Sequence, residues 1–195
     1  MSQESTALLG LLLNLVNDPR TSVLMVLLVI AAITDYRSYR IPNWLTLGGI
    51  LFAVIYRTLQ ERTIASGLID SSGGMLVGFG IMLPLYLLKA MGAGDVKLMA
   101  MVGAFLGIHA TPYAILCTFA VGGIAALGFA IAKGALVPLI GNVRAVVQNM
   151  LVSASLGMKP DGSMSAGQSI GRLPYGVSIA IGTIGFVLAR QLGFV

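Results

Sequence analysis

Apolar residues run along this chain in long blocks broken by short polar knots, and the blocks are long enough to cross a lipid bilayer as helices. Counted from the breaks, candidate spans fall at residues 21–36, 43–60, 68–89, 95–109, 112–133 and 174–191, to be compared with the roughly 20 apolar residues a spanning helix needs. Local chemistry marks several of the boundaries. Pro42 and Asn43 break the chain between the first two blocks, Thr111 with Pro112 reads as N-cap and first helical position of the fifth, and Pro174 plays a similar part for the sixth. Ahead of the first span, residues 7–16 are apolar except Asn14, too few to cross, and are stopped by Asn17, Asp18 and Pro19. Glu4 stands where the basic stretch of a signal peptide belongs, and no small-x-small cleavage site follows. Residues 1–20 therefore read as an N-terminal interfacial segment, with continuation into the first span as the alternative.

The longest connection, residues 134–173, is not uniformly loop-like. Val143, Val146, Val147, Met150, Leu151 and Ala154 keep the rhythm of one helix face, while Arg144, Gln148 and Asn149 face the other way. That pattern predicts an amphipathic helix over residues 142–156 lying on the membrane surface, followed by a Gly- and Ser-rich link at 159–171. Within the spans, Gly74 with Gly78 and Gly103 with Gly107 stand four apart, the spacing that lets helices approach closely in lipid. No repeat and no second domain is visible. The fold expected is all-α: a multi-span membrane helix bundle of about six transmembrane helices plus interfacial amphipathic helices, a single domain over residues 21–195.

Composition sharpens this reading. Of the 195 residues 57% are hydrophobic and 10% charged, and the mean hydropathy is +0.93; soluble domains run about 45–50% apolar and about 25% charged. One cysteine, Cys117, and one histidine, His109, exclude a disulfide framework and a zinc site of thiolates and imidazoles. Cys117 reads as an inert thiol in an apolar run and His109 as a loop residue. No metal and no cofactor is expected. The net charge of +5 comes from basic residues scattered singly between apolar blocks, which suits a bilayer protein better than a nucleic-acid surface, so the lipid bilayer is the expected partner and nucleic acid is not. With the loop after the first span inside, Arg37, Arg40, Lys89, Lys97, Lys133, Arg144, Lys159 and Arg172 face the cytoplasm, eight against the four others, Arg20, Arg57, Arg62 and Arg190. The expected topology is multi-pass, with both termini outside the cytoplasm.

Among the acids, Glu4, Asp18, Glu61, Asp70 and Asp161 fall in polar connections and read as solvated surface. Asp35, closing the first span, and Asp95, opening the fourth, are different. Each stands 14 residues from the far boundary of its span, or about 21 Å at helical rise, which puts both roughly 9 Å below the same surface of a core about 30 Å thick. Intramembrane carboxylates are costly unless paired or hydrated. Two sharing a site cannot both ionise, so one keeps its proton and the other serves as base toward water, which suits peptide-bond hydrolysis. Two other readings stay open on position alone: helix-end charges reaching the interface, and a proton relay in a small transporter. The transporter reading predicts inverted repeats and interrupted helices at mid-membrane, and neither is visible.

The residues around the acids are more specific than the acids themselves. Asp35 with Ile41-Pro42-Asn43 downstream, Gly92-Ala93-Gly94-Asp95-Val96-Lys97-Leu98, and Leu173-Pro174-Tyr175-Gly176 near the end resemble the prepilin peptidases, membrane aspartyl proteases of the GxGD type. The resemblance runs from the first span to the sixth. It implies removal of the short basic leader from type IV pilin precursors at the cytoplasmic face of the inner membrane, with Asp35 and Asp95 as the catalytic pair. Gly92 and Gly94 would shape the approach to the scissile bond. Lys97 would tune Asp95 or contact an acidic substrate residue, unless it is only a cation reaching the interface. Pro42, Asn43, Pro174 and Tyr175 read as architectural. The chain has no cytoplasmic insertion with paired cysteines such as the larger bifunctional members carry, so methyltransferase activity is not expected, and the compact Flp/Tad-type peptidases are the nearer likeness.

Overall fold

A computed structural model describes residues 18–88, 90–132, 134, 148 and 174–193. Over these the chain is all-helical: α1 (Pro19–Ser38), α2 (Asn43–Gln60), α3 (Ile64–Leu87), α4 (Ala93–Leu106), α5 (Thr111–Ala132) and α6 (Tyr175–Gln191). Residues 1–17 of the expected interfacial segment, the surface helix expected at 142–156 except for residue 148, and most of the connection at 134–173 lie outside the described residues. So do Lys89, Lys133, Arg144, Lys159 and Arg172 of the topology argument.

The helices begin and end where local chemistry dictates. Asp18 caps α1 by accepting from the Arg20 N–H (3.2 Å), with Pro19 at the first helical position, where a missing N–H costs nothing. Tyr39, in the left-handed conformation (φ 50°), closes α1, its N–H donating to the Asp35 carbonyl at 2.8 Å. Thr63 caps α3 by accepting from the Ser66 N–H (3.2 Å), so this helix starts four residues before the expected 68, at Ile64. That shift corrects the reading of Asp70. It is not in a connection but inside α3, ion-paired to Arg57 of α2 and accepting from the Ile108 N–H at 3.0 Å. α4 ends at Leu106, short of the expected 109, because Gly107 turns left-handed (φ 86°). His109 is exposed in the turn that follows, as expected. Thr111 opens α5, its hydroxyl donating to the Gly107 carbonyl (2.6 Å) and tying the new helix to the end of the last.

Three helices, α1, α3 and the Thr111–Phe129 stretch of α5, are long and apolar enough to cross a membrane. α4 has 14 residues, about 21 Å of helix, and ten of them are buried. It contacts every other described helix and is the axis of the bundle, shielded by its neighbours from whatever lies outside. Its face toward α3 is closed by glycine: a Cβ on Gly103 would lie 2.7 Å from the Gly74 carbonyl carbon. Nearby, the buried Ser71 hydroxyl donates to the Ala104 carbonyl at 2.8 Å. The outside is apolar, with Val26, Val29, Ile33, Leu47, Leu51, Ile55, Leu116 and Ile124 exposed, while Thr46, Ser71, Thr118 and Thr183 are buried. That distribution is the one lipid selects, since exposed apolar helix faces meet hydrocarbon rather than water.

Candidate active site

Successive helices run in opposite directions, so the end of α1, the start of α4 and the start of α6 share one end of the bundle. Asp35 stands at the first of these and Asp95 at the second. Their exposures are 5% and 7%, too low for charges that merely reach the interface. They are close enough for a charge on Asp35 to be felt at Asp95. Each is held by a backbone amide: the Gly176 N–H donates to Asp35 Oδ2 at 2.8 Å, and the Gly92 N–H donates to Asp95 Oδ2 at 2.9 Å. The second bond is local, the reach of a third helical residue back to its N-cap. The first joins residues 141 positions apart in the chain.

The glycines around the acids have distinct roles. A Cβ on Gly176 would stand 2.8 Å from Asp35 Oδ2 and 3.0 Å from its Cγ, so only glycine lets the start of α6 approach that carboxylate. A Cβ on Gly94 would meet the Ile41 Cβ at 3.3 Å, which makes Gly94 the seat for the buried Ile41 of the segment joining α1 to α2. Gly92 contributes its N–H, and a Cβ there would meet Asp95 Oδ2 at 3.4 Å and the Gly94 nitrogen at 3.9 Å, both ordinary contacts. Tyr175, read as architectural, stands within the electrostatic reach of Asp95, and its neighbour Gly176 lies against Asp35. Gly176 is the residue that the sequence reading left without a role. The signal was present in its place directly after Pro174, at the start of a span.

Lys97 goes elsewhere. Two residues on from Asp95 it is turned by about 200° around α4, is exposed, and donates from Nζ to Asn43 Oδ1 at 2.9 Å. It ties α4 to the first turn of α2 rather than facing the carboxylates. Asn43 and Lys97 line an apolar groove of about 380 Å³ floored by Ile50, Met75 and Phe79. A second cavity of about 380 Å³, between the ends of α3 and α5 and the start of α6, is bounded by Met82, Met91, Thr118, Gly122 and Tyr175. Cys117 is partly buried against the core.

Two buried carboxylates within each other's field, each held by an amide, form an arrangement suited to holding one proton between them and passing it on. Among the described residues no group of three or more histidine, cysteine, aspartate or glutamate side chains gathers to hold a metal. Comparison with curated proteins and with solved structures returns no match. A family model does match, over residues 22–127, from the first turn of α1 through most of α5 and therefore across both acids. On that match the chain belongs to the type IV leader peptidase family.

Proposed function

We propose that this membrane leader peptidase is an aspartyl endopeptidase acting on Flp-like pilin precursors, with Asp35 and Asp95 as its catalytic pair and its active end facing the cytoplasm from the inner membrane. The observation that supports the reading is that two buried carboxylates, 60 residues apart in the chain, lie at one end of the bundle, each accepting a backbone N–H. One acid holds a proton and the other is ionised. The ionised acid takes a proton from water as the water oxygen attacks the scissile carbonyl carbon, and its partner delivers a proton to the carbonyl oxygen. In the collapse of the tetrahedral species the C–N bond breaks as one acid gives its proton to the departing amine, while a hydroxyl of the gem-diol, re-forming the carbonyl, gives its proton to the other acid, so the pair again holds one proton between two carboxylates. Gly92, exposed, leaves the backbone before Asp95 open to an extended substrate, and Gly94 shapes that approach by seating Ile41. Lys97, at the same end but on the α2 side, offers a cation to an acidic residue of the precursor. All of this belongs to one peptidase domain over residues 21–195, crossing the bilayer about six times, without methyltransferase activity.

The test is co-expression with an Flp-like precursor, reading leader loss on a gel, followed by assay of purified variants. Asp35→Asn and Asp95→Asn are each expected to insert and fold yet lose cleavage by a factor of at least ~10³, and chelators are expected to leave the unmutated protein active. Substantial cleavage by either purified Asn variant, free of endogenous peptidase, sinks the mechanism.

A further inference from the structure

The end of the bundle away from the two acids has a site of its own. There α1 begins beside the last turn of α6 and the end of α4, and a cavity of about 320 Å³ lies between them. Its floor is apolar, made by Leu24, Phe105 and Val187, and its rim carries Arg20, Arg190, Asp18 and Gln191. The rim is not balanced. Against its two guanidiniums it holds one carboxylate, Asp18, whose oxygens accept from the Arg20 N–H (3.2 Å) and the Thr21 hydroxyl (2.6 Å) in capping α1. Arg20 and Arg190 are within each other's field. Among the described residues neither guanidinium has a carboxylate at ion-pair distance; the acid on α3, Asp70, is paired with Arg57. Beside them Gln191 Oε1 is a buried acceptor with no donor among the described residues.

Two guanidiniums with unused forks call for an anion with several acceptor oxygens, and phosphate fits that geometry best. An unmet acceptor alongside calls for a donor on the same ligand. We propose that this cavity binds the headgroup of a glycerophospholipid from the leaflet at that end, its phosphate between Arg20 and Arg190 and a hydroxyl or ammonium group of its headgroup donating to Gln191 Oε1. The setting favours a lipid over a free anion. Arg20 lies 15 residues before Asp35 on α1, about 22 Å along the axis, which is the boundary depth where headgroups sit. Leu188 and Leu192, exposed in the last turn of α6 and just past it, add apolar surface at the same end for an acyl chain.

Native mass spectrometry of the full-length protein in detergent, titrated with phosphatidylglycerol, phosphatidylethanolamine or phosphatidylcholine, tests this. One bound phosphatidylglycerol or phosphatidylethanolamine per chain is expected, with phosphatidylcholine, whose headgroup has no donor, held more weakly. Arg20→Gln and Arg190→Gln should each weaken retention about tenfold, the value of one charge-assisted bond. Arg190 is exposed on the last turn of α6, so its variant stays informative where Arg20→Gln fails to fold, and leader cleavage serves as the check that the bundle is intact. Millimolar inorganic phosphate should not displace the lipid. Unchanged retention by the Arg190→Gln protein overturns the proposal, and so does displacement by inorganic phosphate, which marks a free-anion site.

Discussion

Asp35 depends on a residue that has no side chain. Its carboxylate takes the Gly176 N–H at 2.8 Å because nothing stands between that backbone and the acid, and a methyl group would sit 3.0 Å from the Asp35 Cγ. Gly176→Ala is therefore expected to push the carboxylate off its amide, costing about 1–3 kcal/mol of stability through overpacking. Leader cleavage should fall about tenfold or more, since a displaced acid is misaligned with its partner. Cleavage rate and thermal unfolding of the purified variant measure the two effects. A fully active Gly176→Ala protein means that this contact does not position Asp35.

The contact between α3 and α4 obeys the same logic one level up. Gly74 and Gly103 press backbone against backbone, and the close approach brings the Ser71 hydroxyl within 2.8 Å of the Ala104 carbonyl. Gly103→Val should force the helices apart and lower the melting temperature sharply, since neither facing surface is a flexible side chain. Gly80, also on α3, has nothing within 4 Å of its missing Cβ. Gly80→Ala should leave stability unchanged or raise it by up to about 1 kcal/mol through helix propensity. Equal destabilisation by the two substitutions, read from melts in detergent, would contradict the packing described. A polar link reinforces the far end of the same helices, where Asp70 joins Arg57 of α2 and the Ile108 N–H after α4. Asp70→Asn keeps an acceptor for the amide but removes the nearer carboxylate from a guanidinium that is only 14% exposed, leaving it Glu61 at 3.9 Å and the Phe105 carbonyl at 3.4 Å, and is expected to cost about 2 kcal/mol.

For the whole molecule, the alternation of helix directions sorts the described basic residues by end. Arg37, Arg40 and Lys97 share the end of the two acids, while Arg20, Arg57, Arg62 and Arg190 lie at the other. The proposed orientation turns the first group toward the cytoplasm. Ser38 and Ser66 are exposed at opposite ends, which makes them suitable probes. In a Cys117→Ser background, a cysteine at Ser38 should be shielded from an impermeant thiol reagent in intact cells, and one at Ser66 should react. Reaction at position 38 from outside would reverse the orientation and with it the cytoplasmic site.

What this chain writes in one dimension is where its helices lie and which acids are out of place. Pro42, Pro19 and the polar knots between apolar blocks act locally, through missing N–H groups and caps, so helix boundaries came within a few residues of those observed. Asp35 and Asp95 stood out for the same reason, as carboxylates at the ends of apolar helices. The motifs around them carried the family. Partners were another matter. That Gly176 would hold Asp35 across 141 positions, that Asp70 would pair with Arg57, and that Lys97 would bond Asn43 depend on how each helix is rotated and which neighbour it meets. Rotation is set by packing the entire bundle around α4, where glycines decide how close the helices come, and no local stretch of sequence contains that information. Only the folded chain decides which face each residue presents.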